Sequence, residues 1–178
     1  MRSRRKYIFL LIFTVVWCCI LSSCQGGTQI RDYRKSGFVC KVIFDAYGVP
    51  TEATVRASRP EADGGRTLEI EMLSPEHLRG IVFCRNNKGE IYGKCGDLTL
   101  CSNAFSEILS FADLLLPEGQ LKEICPSQIS GRRVIYATVT GTSDHGIYLD
   151  GETCIPLEIH KGERMIKVTE FHALEDDT

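Results

Sequence analysis

The stretch Phe38-Val39-Cys40-Lys41-Val42-Ile43-Phe44-Asp45-Ala46 decides the fold. Phe38, Cys40, Val42, Phe44 and Ala46 recur at a period of two, with Lys41 and Asp45 on the opposite parity. That spacing sends alternate side chains to opposite faces of a strand, so one face is apolar and the other meets water. The chain turns at Tyr47-Gly48-Val49-Pro50, and Ala53, Val55 and Ala57 then alternate with Glu52, Thr54 and Arg56. Beyond a polar loop around Asp63-Gly64-Gly65, Leu68, Ile70 and Met72 alternate with Glu69 and Glu71. A hairpin is expected from Leu78 to Lys94 around Asn86-Asn87-Lys88-Gly89, residue types that tolerate left-handed backbone, and a strand from Asp97 to Leu100. Towards the C-terminus the same period predicts strands at Val134 to Thr140, Ile147 to Leu149, Ile155 to His160 and Met165 to Phe171, joined by turns at Ser143-Asp144-His145-Gly146 and Lys161-Gly162.

One segment breaks the period. Between Ser102-Asn103, either of which can cap a helix, and Pro117-Glu118-Gly119, which stops one, Phe105, Ile108, Leu109, Ala112 and Leu116 recur at helical spacing. Phe111, Leu114 and Leu115 widen the apolar face and leave Ser106, Ser110 and Asp113 as a narrow polar stripe. A helix this apolar must be covered over most of its circumference. The expectation is an α+β fold: a curved antiparallel sheet, or unclosed barrel, with an apolar lid helix in its concave face. Phe38, Val42 and Phe44 would supply the floor beneath Phe105, Ile108, Leu109, Phe111, Ala112, Leu115 and Leu116.

Upstream, Arg2-Ser3-Arg4-Arg5-Lys6 precedes an apolar run from Tyr7 to Leu21, which ends in Leu21-Ser22-Ser23-Cys24. A basic start, a short apolar core and small residues at the end make an export signal. The four closing positions resemble the bacterial lipobox, whose cysteine receives a diacylglycerol before the peptide is cut. The resemblance implies a signal peptide over 1–23, lipidation at Cys24, and a short tether through residue 36. Each buried methylene contributes about 0.8 kcal/mol, so two or three chains would anchor the protein lastingly. The expected location is the outer face of the cell membrane, or the outer membrane in a two-membrane host, since Gln25 replaces the aspartate that typically signals retention. Removing 1–23 leaves 17 Lys and Arg against 23 Asp and Glu, a net charge of −6, which argues against a nucleic-acid partner. Residues 175–178 read as an acidic tail.

The ending Tyr148-Leu149-Asp150-Gly151-Glu152-Thr153-Cys154-Ile155-Pro156-Leu157-Glu158-Ile159, with Lys161-Gly162-Glu163 and the strand Met165 to Phe171, resembles the close of LolA/LolB-like lipoprotein-carrier domains. The order of meandering strands, apolar helix and further strands agrees over 37–174. The resemblance implies a half-open barrel whose lid covers an apolar cavity for acyl chains, and an arginine touching the lid, for which Arg56 is one candidate. The soluble carrier of that family has no lipid anchor, so an anchored member fits an acceptor or a sensor better than a shuttle.

Catalytic signals are weak. Gly141-Thr142-Ser143-Asp144-His145 begins like a nucleophile elbow but lacks the final glycine and the strand-to-helix setting. His77, His145, His160 and His172 are scattered among turns and strand ends, and no metal or cofactor motif is present. Six cysteines besides Cys24 fall in the domain, at 40, 84, 95, 101, 125 and 154, an even number open to fifteen pairings. A hairpin centred on Asn87-Lys88 would place Cys84 and Cys95 on one face about 13 Å apart, too far for a bond. Cys101 and Cys125, which bracket the helix, remain open to pairing. Two functions follow: a membrane-anchored envelope lipoprotein that binds an acyl chain, lipid or apolar peptide under the helix, or a structural or regulatory lipoprotein whose core is filled by its own side chains. An enzyme is not expected.

Overall fold

A computed structural model describes residues 32–174, apart from 47, 130, 142 and 143; the side chains of 123 and 124 are likewise not described. Cys24, the expected signal peptide and the expected acidic tail lie outside these residues. The chain forms β1 (Phe38–Ala46), β2 (Val49–Ala57), β3 (Leu68–Met72), β4 (Val82–Arg85), β5 (Ile91–Cys95), β6 (Leu98–Cys101), the helix α1 (Ser106–Asp113), β7 (Leu121–Ile129), β8 (Arg132–Val139), β9 (His145–Asp150), β10 (Pro156–Lys161) and β11 (Arg164–Ala173). All eleven strands make one sheet in the order β6-β5-β4-β3-β2-β1-β11-β10-β9-β8-β7. Two antiparallel meanders, β1 to β6 and β7 to β11, are joined by the β1–β11 pairing. β6 and β7 remain as edges, so the barrel is not closed.

The period-two reading places the core. Phe38, Cys40, Val42 and Phe44 of β1 stand opposite Ala57, Val55, Ala53 and Thr51 of β2, and all are buried on the same face. Leu68, Ile70 and Met72 extend that face on β3, and Ile166 and Val168 extend it on β11. The other face carries Lys41, Glu52 and Arg56, all exposed.

The contacts of α1 require the sheet to curl. Asp113 is paired with Arg85 of β4, and its neighbour Leu114 is bonded by His145 at the start of β9. β4 and β9 are six strand spacings apart in sheet order, about 29 Å on a flat sheet at about 4.8 Å per spacing. Two side chains that meet adjacent residues cannot span that distance, so the sheet wraps around the helix. Register shifts at Lys41/Val42, Glu123/Cys125 and Pro156/Glu158 supply local bends.

Three expectations are corrected. The molecule is mostly β, and the helix is small: eight α-helical residues preceded by a 3-10 turn at Asn103–Phe105. β7 was not expected, because Leu121–Ile129 contains Pro126 and little apolar alternation; it sits at the sheet edge, where a missing N–H donor is tolerated. The hairpin register is one residue off. Asn86 accepts from the Gly89 amide and donates to Glu90, with Gly89 at φ +83°, so an extra residue enters the turn and Cys84 faces Tyr92. Cys84 and Cys95 consequently point to opposite faces. The cysteines, whose pairing the sequence leaves open, are all free thiols at 40, 84, 95, 101, 125 and 154, and Cys101 and Cys125 lie on the two opposite edge strands.

Candidate functional site

The segment expected to start as a helix at Ser102-Asn103 opens instead as the 3-10 turn Asn103–Phe105 and becomes α-helical only at Ser106. Ser102 Oγ accepts the Ala104 amide at 3.2 Å, which satisfies a donor of the first turn. Leu109, Phe111, Ala112, Leu114 and Leu115 are buried, while Phe105, Ile108 and Leu116 are partly buried against the same cluster. The floor residues Phe38, Val42 and Phe44 belong to that cluster too. Phe111 stacks on Phe44 with ring centroids 4.6 Å apart, and Phe105 lies over Phe83 at 5.2 Å. Gly93 makes room for Phe105, since a Cβ there would stand 3.0 Å from the ring. The structure thus brings all ten residues expected to form the lid and its floor into one apolar layer.

At its other end the helix is held by polar groups from distant parts of the chain. A helix C-terminus leaves carbonyls without intrahelical donors. Here Leu115 receives the Tyr33 hydroxyl at 2.7 Å, Leu114 lies 3.1 Å from His145 Nε2, and Arg34 donates to the carbonyls of Pro117 and Gly119. A carbonyl can only accept, so the His145 proton sits on Nε2. Arg85 pairs with Asp113, Arg164 donates to Ser110 Oγ at 3.1 Å, and the Arg164 guanidinium lies 5.1 Å from the centre of the Phe111 ring. Cations at this end also suit the helix dipole. Gly119 is required: its φ is +103°, and a Cβ would fall 2.4 Å from the Thr140 carbonyl oxygen.

Burial shapes the electrostatics of this latch. Burial works against the charge on Asp32 and on Arg34, but their mutual hydrogen bond and attraction outweigh it, holding the carboxyl below and the guanidinium above their ordinary values. Burial raises the Tyr33 hydroxyl, which keeps it a donor. It also lowers His145 below the ordinary imidazole value, which favours the neutral ring where it meets Leu114. The hydrogen bonds that Arg85 donates to Asp113 raise its guanidinium above the ordinary value.

The latch was largely absent from the sequence reading. Tyr33 and Arg34 lie in the stretch taken as tether, yet both are buried, and Tyr33 packs edge-on against Phe38 and Phe171. His145, which the sequence places in a turn, is buried. The lid-contacting arginines are Arg34, Arg85 and Arg164; Arg56 is exposed on the outer face opposite Glu69. The available signal was Asp32-Tyr33-Arg34, a helix-capping aspartate followed by an aromatic residue just before the first strand.

Beside the latch a cleft of about 1200 Å³ opens, lined by Arg34, Arg66, Arg85, Leu114, Leu116 and Pro117 among others. Its walls are mixed: charged side chains from the turn before β1, the loop before β3 and the strands β4, β10 and β11, and apolar ones from the turn after the helix.

No family model matches the chain, and no curated protein matches it. Among solved structures it is similar to MucB, at 16% identity and a TM-score of 0.46, with 85% of this chain and 62% of that chain covered. It is also similar to an uncharacterized conserved protein from Thermus thermophilus, at 15% identity and a TM-score of 0.49, covering 82% of this chain and 83% of that one. A LolA superfamily protein from Nitrosomonas europaea shows 8% identity and a TM-score of 0.39, with 84% and 90% covered. The chain therefore spans about 62% of the length of the MucB chain it matches, and each likeness is one of backbone fold.

Proposed function

We propose that this protein is a lipid-anchored bacterial envelope lipoprotein, tethered through Cys24, that binds the acyl chain of a lipid or lipidated partner, or an apolar peptide, between α1 and the inner face of the sheet. The observation that carries this reading is the division of labour on the helix. Its apolar side chains lie on the sheet, but the end that fixes its position is held by hydrogen bonds and ion pairs to Tyr33, Arg34, Arg85 and His145. Such bonds are exchanged for bonds to water on opening, and each contributes about 1 kcal/mol net. The larger cost of lifting the helix is its apolar face, at about 25 cal/mol per Å². An entering acyl chain restores that burial. The latch then sets when the lid opens, and the layer beneath sets what it accepts.

A second reading has its own observation. Phe111 sits directly on Phe44, so the closed state fills its layer with its own side chains, as a structural or regulatory lipoprotein would. Titrating the purified protein with straight-chain alcohols of increasing length separates the two. The binding reading expects affinity to rise with each methylene until the layer is full. If no chain length binds at micromolar concentration, the self-filled reading replaces it.

A further inference from the structure

Arg66 departs from the pattern of the other arginines around the lid. Arg34 is paired with Asp32 and Arg85 with Asp113, and Arg164 is committed to Ser110 and Phe111. Arg66 gives Nη2 to the Arg34 carbonyl at 2.7 Å, but its Nη1 is buried and has no acceptor among the described residues. No carboxylate among the described residues pairs with it either. Buried donors without a partner are rare, and one on a charged group is costly to keep. The burden is compounded by position, because burial and the nearby Arg34 charge both weaken its hold on its proton, a pull that the nearby Asp32 and Tyr33 only partly offset. A residue whose only task was to brace the Arg34 backbone would need neither the second nitrogen nor the charge.

Arg66 lines the cleft beside the latch, together with Leu114, Leu116 and Pro117. Of the carboxylates on the same lining, Asp32 and Asp113 are taken by Arg34 and Arg85, and Glu118, Asp144 and Glu163 are exposed to water. The cleft thus brings together a half-buried arginine whose Nη1 is buried without an acceptor and the apolar residues that follow the lid helix.

We infer that Arg66 is the head-group site for the ligand whose chain lies under α1, and that this ligand is an acidic amphiphile with a carboxylate or phosphate on Arg66 Nη1. An oxyanion there supplies the missing acceptor and relieves the repulsion between Arg66 and Arg34 at once. A guanidinium fork suits both oxyanions, so the two are separated by experiment. The inference rests on the proposed acyl-chain binding and adds the charge of its head.

The test compares dodecanol, dodecanoate and dodecyl phosphate, titrated into the purified protein and into Arg66→Gln and Arg66→Lys variants, with thermal melts to check folding. In the unmodified protein at least one acidic probe is expected to bind about tenfold more tightly than the alcohol. That gap should shrink in added salt, narrow in Arg66→Lys and close in Arg66→Gln. Whichever acid shows the larger gap identifies the oxyanion. Equal affinity for all three probes overturns the head-group site and leaves chain binding standing. A gap that survives in Arg66→Gln moves the site elsewhere. If Arg66→Gln does not fold, a gap unchanged by salt and by Arg66→Lys overturns it equally. Failure of all three probes to bind removes both this inference and the reading beneath it.

Discussion

The hydroxyl of Tyr33 donates to the carbonyl of Leu115 over 2.7 Å and 82 positions of sequence. It ties the turn ahead of the first strand to the end of the lid, and both partners are buried. Tyr33→Phe keeps the ring against Phe38 and Phe171 but leaves the Leu115 carbonyl without its donor. An unsatisfied buried acceptor costs about 1–3 kcal/mol. Urea denaturation should show a loss of that size, and hydrogen exchange at the amides of 114–116 should accelerate more than in β1. Uniform acceleration would show that the bond supports the whole fold rather than the lid.

Phe111→Ala removes the ring that stacks on Phe44 and carries Arg164. Deleting a buried aromatic side chain costs about 3–5 kcal/mol. A smaller loss, measured in the same denaturation series, would mean that the layer under the helix closes up around the gap.

Asp150 makes stability fall in acid. The Thr153 amide is the largest influence on its carboxyl, and with the Thr153 hydroxyl, the Glu152 amide and Arg132 it holds the group at about 2, below the ordinary 3.8. The folded state thus binds this proton less readily than the unfolded chain. The stabilisation is complete above about pH 4 and is lost as the pH falls towards 2. Asp150→Asn should lower the melting temperature at neutral pH and flatten its decline over that window.

Cys24 lies outside the described residues, and its role is tested in cells. Growth with a clickable fatty-acid analogue should label the unmodified protein, and Cys24→Ser should abolish the label and leave the precursor uncut. Equal labelling of both would remove the lipobox reading.

The strands that border the core were legible because burial on one face imposes period two: β1, β2 and β3 appear in the sequence almost residue for residue. The lid residues were legible for the corresponding helical reason. What escaped were features set by tertiary context. β7 pairs along one side only and needs no apolar alternation, so its nine residues carry no period. The bulged turn at Gly89 shifts a register that residue types alone leave open. Tyr33, Arg34 and His145 act through bonds to carbonyls more than 30 positions away, and a carbonyl leaves no mark in a sequence.

The central claim is that an acyl chain enters between α1 and the sheet, and a tryptophan placed in that layer reports on it directly. The natural chain has one tryptophan, Trp17, inside the expected signal peptide. In Phe111→Trp, 11-bromoundecanoate should quench the new indole, because bromine quenches at contact, while undecanoate should not, and the unmodified protein, which in this account loses Trp17 with residues 1–23 on processing, provides the tryptophan-free blank. Saturable quenching confined to the variant is the result predicted here. Undiminished emission from a folded Phe111→Trp protein at saturating bromo acid would contradict the account.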